Sequence, residues 1–155
     1  MAMMNRRIAI MAVAATLATA SLGLSHIASA ADWYTPGGGN LAIGGYDPVA
    51  YFKVNRPEKG KGAFSTNYKG ARWLFANQEN LDAFKANPAR YAPQFGGYCA
   101  YAAAKGYKAS TVPEAFSVVG GKLYLNYSLP VRDLWDANQS AFIKQGNANW
   151  PKLAR

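Results

Sequence analysis

Apolar and polar residues alternate in two separate stretches of the chain, and each alternation is interrupted by a turn signal. In the first stretch, Phe64, Thr66 and Tyr68 alternate with polar neighbours, and Lys69-Gly70 then turns the chain into the apolar run Ala71–Phe75. In a strand, alternate residues point to the same face of the sheet. The pattern therefore predicts a β-hairpin with one apolar face.

The second alternation lies in the last third of the chain. Phe116–Val119 and Lys122–Tyr127 are separated by Gly120-Gly121. Because both central residues of a type I′ turn need a positive φ, a glycine pair between two apolar segments predicts a tight hairpin.

Helical spacing and capping signals predict short helices between and around these hairpins. Asp47-Pro48 joins an N-cap oxygen to a proline at the first helical position. The other signals are an Asn77 cap, Gly106 as a C-terminal stop, and Ser128 with Pro130 at a helix start. The predicted helices run from Val49 to Phe52, Gln78 to Ala86, Tyr98 to Lys105, and Ser128 through Phe142, with Trp150-Pro151 docking the tail. The predicted fold class is α+β, a small single domain of two antiparallel β-hairpins with short helices packed on them.

The first thirty residues resemble an export signal. Arg6 and Arg7 precede an uncharged apolar run from Ile8 to Leu24, and Ala28-Ser29-Ala30 places small residues where a signal peptidase reads them. We expect residues 1–30 to be a secretory signal peptide cleaved after Ala30, and residues 31–155 to be the mature domain. The expected location is periplasmic or secreted.

Charge does not indicate a nucleic-acid partner. Residues 31–155 hold 15 Lys and Arg against 8 Asp and Glu, a net charge of +7, but the basic residues are scattered singly. Lys59-Gly60-Lys61 is the nearest approach to a basic patch. This charge favours solubility and weak attraction to anionic surfaces or ligands.

Few residues in the mature chain can ligate a soft metal or act as a nucleophile. The single histidine, His26, lies in the predicted signal, and Cys99 is the single cysteine. An intramolecular disulfide is therefore excluded. Cys99 lies in an apolar, helix-forming run, where a cysteine behaves as a small buried hydrophobe; the alternatives are a metal ligand, a reactive thiol or a bridge between two chains.

The segment Phe75–Tyr91, with the start Asp47-Pro48-Val49, is similar to the YHS domain family. Metal-binding members of that family carry a cysteine at the position of Ala50 and a Cys-x-x-x-Cys pair at the positions of Ala76 and Asn80. The family's naming Tyr-His-Ser triplet falls near Phe64. The resemblance implies metal binding, with copper as the first candidate, but Cu(I) prefers sulfur or imidazole ligands, and these positions offer neither.

The chain more closely resembles exported, single-domain YHS proteins. Its marks are the segments 45–52, 91–101, 121–127 and 149–151, which are spread over nearly all of the mature chain. This resemblance implies location and shape more than activity.

Two segments that each follow a pair of glycines, residues 46–51 and residues 98–101, are the best candidates for a binding site. Polar-tipped aromatics often line small pockets, and if the two segments face each other they form a tyrosine-rimmed cleft with one thiol. The candidate ligand-binding residues are Tyr46, Asp47, Tyr51, Tyr98, Cys99 and Tyr101. The leading hypothesis is therefore a non-catalytic binding module for a metal ion, copper above others, or for a small ligand, with Cys99 as the candidate metal ligand.

Two alternatives remain open from the sequence. Cys99 could act as a nucleophile at a helix N-terminus, but the mature chain offers no histidine as its base, and its carboxylates show no paired pattern. The chain could instead be an interaction protein, a monomer or a Cys99-linked dimer, that serves a periplasmic or membrane protein partner.

Overall fold

A computed structural model describes residues 32–154; the predicted signal peptide lies outside this range. The described residues form ten regular elements in two antiparallel hairpins and six helices, and none of these helices is long and apolar enough to span a bilayer. In chain order the elements are α1 (Ala50–Lys53), β1 (Lys61–Tyr68), β2 (Ala71–Phe75), α2 (Gln78–Ala86), α3 (Pro88–Tyr91), α4 (Ala100–Lys105), β3 (Phe116–Val119), β4 (Lys122–Leu125), α5 (Leu129–Asp136) and α6 (Gln139–Leu153). The predicted α+β class is confirmed.

Both hairpins turn where the sequence predicts. β1 pairs antiparallel with β2 and β3 with β4, and each forms its own two-stranded sheet. Lys69 and Gly70 have φ values of 46° and 85°, and Gly120 and Gly121 have 58° and 72°. Two successive positive φ angles are what a type I′ hairpin turn requires. The second hairpin is shorter than predicted because β4 ends at Leu125.

Side-chain caps begin several of the helices. The Asn77 side chain accepts a hydrogen bond from Asn80 N at 2.9 Å, and Ser128 Oγ accepts one from Val131 N at 3.3 Å. Each cap satisfies a backbone donor that has no partner inside its helix. Asn87, which directly follows α2, caps the short helix α3 by accepting a hydrogen bond from Arg90 N at 3.3 Å.

The prediction of one final helix was wrong. The chain leaves helical geometry at Asn138, which has φ −150° and ψ 54°, so that α5 and α6 are separate helices. The break lets Trp135 stay buried in the core while α6 packs along α4. Pro151 lies inside α6 near its C-terminal end, and Trp150 contacts the rings of Phe95 and Tyr98.

The apolar side chains gather into two clusters. The first lies between the β1–β2 hairpin and α2 and is centred on the fully buried Trp73, Phe75 and Phe84. The second joins α4, α5 and α6 around Trp135 and Phe95. The described chain therefore has two packed halves that share the second hairpin, because Leu123 and Leu125 of β4 belong to the first cluster and Tyr124 belongs to the second.

The segment Asp32–Tyr34 runs between two tight turns and ties these halves together. Tyr34 N donates to Gly96 O at 2.8 Å, and Tyr34 O accepts from Ile43 N at 2.8 Å. A Cβ at Gly96 would stand 2.0 Å from Asp32 O, and Gly96 has φ 61°. Only glycine lets the two backbones approach this closely.

Candidate functional site

Asp47 is a buried carboxylate that joins three parts of the chain. Its Oδ1 accepts hydrogen bonds from Val49 N at 2.8 Å and Ala50 N at 3.3 Å, as a helix cap does. Its Oδ2 accepts from Ala76 N at 2.8 Å and from Asn80 Nδ2 at 2.7 Å. Because the side chain is fully buried, these four donors replace the water that would otherwise solvate its charge.

The three positions aligned with metal-ligand cysteines therefore meet around one carboxylate. Ala50 and Ala76 contribute their backbone N–H groups, and Asn80 contributes its amide. None of them provides sulfur or imidazole, and both Asp47 oxygens are already bonded. Phe64, near the family's histidine, packs against the first core cluster. Within residues 32–154, no three His, Cys, Asp or Glu side chains group as a metal site would need. This donor set does not fit a copper ion.

Cys99 lies inside the protein as the cap of α4. Its side chain is 1% exposed. The sulfur accepts from Ala102 N at 3.5 Å and lies 3.7 Å from Asn126 Oδ1. A bridge to a second chain, or attack on a substrate, would first require this region to open.

Asn126 is a buried polar residue that sequence reasoning missed. Its Oδ1 accepts from Tyr101 N at 3.1 Å and faces the Cys99 sulfur. Its Nδ2 has no partner among the described residues. The run Tyr124-Leu125-Asn126-Tyr127 was noticed only as a mark of resemblance; a single asparagine at the end of an apolar strand was the available signal.

Two of the predicted tyrosines line a surface cleft of about 380 Å³. Tyr46 and Tyr51 contribute from the start of α1, and Tyr34 enters from the N-terminal segment. Tyr51 Oη donates to Pro113 O at 3.2 Å, which positions its ring against the segment before β3. Burial, followed by the nearby Glu114 carboxylate, raises the pKa of Tyr51, so its hydroxyl stays protonated at neutral pH. We call this space the tyrosine cleft; its walls include Tyr34, Tyr46, Tyr51, Lys59, Thr111 and Pro113.

Lys59 is the charged residue of the tyrosine cleft and was not predicted as a site residue. Its Nζ lies 4.3 Å from the centre of the Tyr46 ring and donates to Gly44 O at 3.0 Å. The backbone next to it is fixed, because Asp47 N donates to Glu58 O and Gly60 N to Gly45 O. The sequence showed Lys59 and Lys61 only as a pair of neighbouring basic residues, and it gave no reason to expect that Lys59 lines a cleft.

Tyr98 and Tyr101 do not line the tyrosine cleft. Tyr98 Oη donates to Asp32 Oδ1 at 3.2 Å, and the ammonium of Lys108 pairs with the same carboxylate. Burial and, after it, Asp32 raise the pKa of Tyr98. Tyr101 packs against Phe142, with ring centres 5.2 Å apart. The structure therefore brings together Tyr46 and Tyr51, whereas four other predicted site residues do not line the cleft: Asp47, Tyr98, Cys99 and Tyr101.

A second surface cavity, of about 440 Å³, lies on another side of the molecule. Trp33, Tyr68, Phe95 and Trp150 form much of its wall, with Lys69 at the first hairpin turn. None of the predicted site residues lines this groove. Its lining includes Asp32 and Ala154, the first and last residues that the structure describes.

Comparison with known proteins matches one part of the chain. The family model described as YHS domain matches residues 47–95. Neither a search of curated proteins nor a search of solved structures finds a match. The matched region begins at Asp47 and ends at Phe95, so it contains the first hairpin and stops before Cys99. Residues 47–95, which hold Asp47 and the three positions gathered around it, are therefore similar to the YHS domain family.

Proposed function

We propose that this protein is a non-catalytic, YHS-type binding module that holds a small organic molecule in the tyrosine cleft. The observation that carries the proposal is the cleft itself: three tyrosines and one lysine, from three separate parts of the chain, line a space of about 380 Å³. Concave, mostly apolar sites with a few fixed polar groups are typical of small-molecule binding.

The polar groups of the cleft are held in place before any ligand arrives. The Tyr51 hydroxyl is bonded to Pro113 O, Thr111 Oγ1 donates to Gly97 O at 3.0 Å, and Lys59 is bonded to Gly44 O. A preorganised site loses less conformational entropy on binding than a mobile one. This supports selective binding of a small molecule.

A metal ion is the weaker candidate for this chain. The family resemblance implies copper, but the positions around Asp47 lack soft ligands, and the one remaining thiol caps a helix inside the core. A single buried thiolate with one amide oxygen beside it would leave Cu(I) without a second soft ligand. We therefore place the ligand in the tyrosine cleft and not at Cys99.

The cellular location of this function depends on the predicted signal peptide. We propose that residues 1–30 direct export and that the binding module works in the periplasm or outside the cell. The ligand would then be a molecule met in that compartment.

The location of binding can be tested by NMR. The 15N-labelled protein would be titrated with a set of small aromatic acids, amides and amines, and separately with Cu(I) under reducing conditions. We expect saturable shifts of the Gly44, Tyr46 and Thr111 amides with members of the compound set.

Two results would contradict the proposal. The first is an absence of any saturable shift at the tyrosine cleft, including the case in which compounds bind only at the groove of Trp33 and Trp150. The second is stoichiometric Cu(I) binding with shifts centred on Cys99 and Asn126, which would favour a metal-binding module.

A further inference from the structure

The charge of Lys59 suggests what kind of molecule the tyrosine cleft accepts. Two other lysines near the molecular surface are neutralised, Lys53 by Glu79 and Lys108 by Asp32. Within residues 32–154, Lys59 lies in no ion pair, although its ammonium stands at the wall of a cavity. Its positive charge is therefore available to a ligand.

The hydrogen bonds of Lys59 leave part of its ammonium free. An ammonium has three N–H donors, and in the described structure one of them is used by Gly44 O. The contact with the Tyr46 ring holds the side chain over that ring. An acceptor that enters the cleft can take the remaining donors without displacing the lysine.

The negative charges near the cleft are arranged so that an anion can enter at the Lys59 end. The Asp47 carboxylate is fully buried, and its two oxygens face donors of the protein. Glu114 raises the pKa of Tyr51 but does not line the cleft. Lys59 is therefore the charged side chain that a ligand in the cleft meets.

From this arrangement we infer that the tyrosine cleft binds an organic anion, with its carboxylate on Lys59 and a flat, apolar body against the partly exposed rings of Tyr34 and Tyr46. This inference rests on the proposed function and adds the ligand's chemical class. A cationic ligand is disfavoured, because it would meet the ammonium that already covers the Tyr46 ring.

Three probes of similar shape and different charge test the inference: benzoate, benzamide and benzyltrimethylammonium. Each would be titrated into the 15N-labelled protein at low salt, with affinity read from the shifts of Gly44 and Tyr46. We expect benzoate to bind most tightly, and its affinity to fall as the salt concentration rises.

The matched variants are Lys59→Gln and Lys61→Gln. Both remove one positive charge from exposed residues of neighbouring sequence, but Lys61 does not line the cleft. We expect Lys59→Gln to weaken benzoate binding about fivefold, with benzamide binding unchanged and Lys61→Gln close to the parent protein.

The outcomes separate this inference from the proposed function. If benzamide or the ammonium compound binds in the cleft as tightly as benzoate, or if the two lysine variants weaken benzoate equally, the anionic class is wrong and the small-molecule function stands. If none of the three probes binds in the cleft, and the wider compound set does not either, the proposed function itself fails.

Discussion

Two five-residue turns of this chain follow the same backbone course but differ in their last residue. The first is 43–47, Ile-Gly-Gly-Tyr-Asp, and the second is 95–99, Phe-Gly-Gly-Tyr-Cys. Ile43 and Phe95 both have positive φ angles, 44° and 54°, and both glycine pairs that follow are also left-handed. A positive φ is unfavourable for large side chains, so its occurrence at both places shows that the fold imposes the same geometry twice.

Asp47 and Cys99 have the same structural task in these two turns. Asp47 accepts from the Ala50 N–H at the start of α1, and Cys99 accepts from the Ala102 N–H at the start of α4. Each also faces a buried asparagine amide, that of Asn80 or that of Asn126. Capping and burial therefore account for Cys99 without any chemistry of its thiol.

The difference between the two residues lies in the strength of their bonds. The Asp47 carboxylate makes four hydrogen bonds of 2.7–3.3 Å, two of them to the segment that starts α2. The Cys99 sulfur has two weak contacts, at 3.5 and 3.7 Å. Both turns therefore place an acceptor at this position, and the carboxylate additionally fastens α1 to the end of the first hairpin.

The largest expected effect comes from removing these two caps in turn. We expect Asp47→Ala to lower the free energy of unfolding by about 4 kcal/mol, because it leaves the Ala76 N–H and the Asn80 amide buried without an acceptor. Cys99→Ala should cost about 1 kcal/mol, the value of a weak cap. Urea denaturation followed by tryptophan fluorescence would measure both. Equal losses would contradict the distinction drawn between the two turns.

A smaller effect is expected from the glycines at equivalent places in the two turns. Gly96→Ala would put a Cβ 2.0 Å from Asp32 O, whereas Gly44→Ala would meet the Pro36 ring at 3.3 Å and the Tyr46 ring at 4.0 Å. Both glycines have positive φ, so each substitution carries about 1 kcal/mol of backbone strain. We expect a loss of about 3 kcal/mol at Gly96 and about 1 kcal/mol at Gly44.

The same denaturation experiment measures the two glycine variants, and NMR shows whether the segment Asp32–Tyr34 has moved. A Gly96→Ala protein as stable as Gly44→Ala, with that segment in place, would show that the close backbone approach does not limit the fold.

The smallest expected effect concerns the tyrosines of the two turns. The pKa of Tyr98 is raised, so this group binds its proton more tightly in the folded state than in the unfolded state. Its contribution to stability is fully present below the ordinary tyrosine pKa of about 10 and is lost as the pH rises through the raised value.

Tyr98→Phe should therefore make stability fall less steeply above about pH 10, by a small amount because the hydroxyl is partly exposed. Tyr46→Phe, at the equivalent place in the first turn, is the control. Urea midpoints at pH 8 and pH 10.5 would give the difference for each variant. A flatter profile for Tyr46→Phe than for Tyr98→Phe would contradict the assignment to the Asp32 contact.

Local signals in the sequence were sufficient to predict the hairpin turns and the start of α2. Both hairpins turn at the glycine-containing dipeptides that were predicted, and α2 begins at its Asn77 cap. These features depend on residues within a few positions of one another, since φ preferences and caps act locally. The similarity of residues 47–95 to the YHS domain could also be read from the sequence, because the matching residues lie along one continuous segment.

The grouping of side chains into one site depends on tertiary packing. Tyr34, Tyr51, Lys59 and Thr111 are distant in sequence, and the tyrosine cleft exists because the two halves pack around the segment Asp32–Tyr34. The same packing divides the last helix at Asn138 and directs Tyr98 to Asp32 instead of the cleft. Contacts between distant residues depend on how whole elements dock, and no local pattern of residues encodes that arrangement.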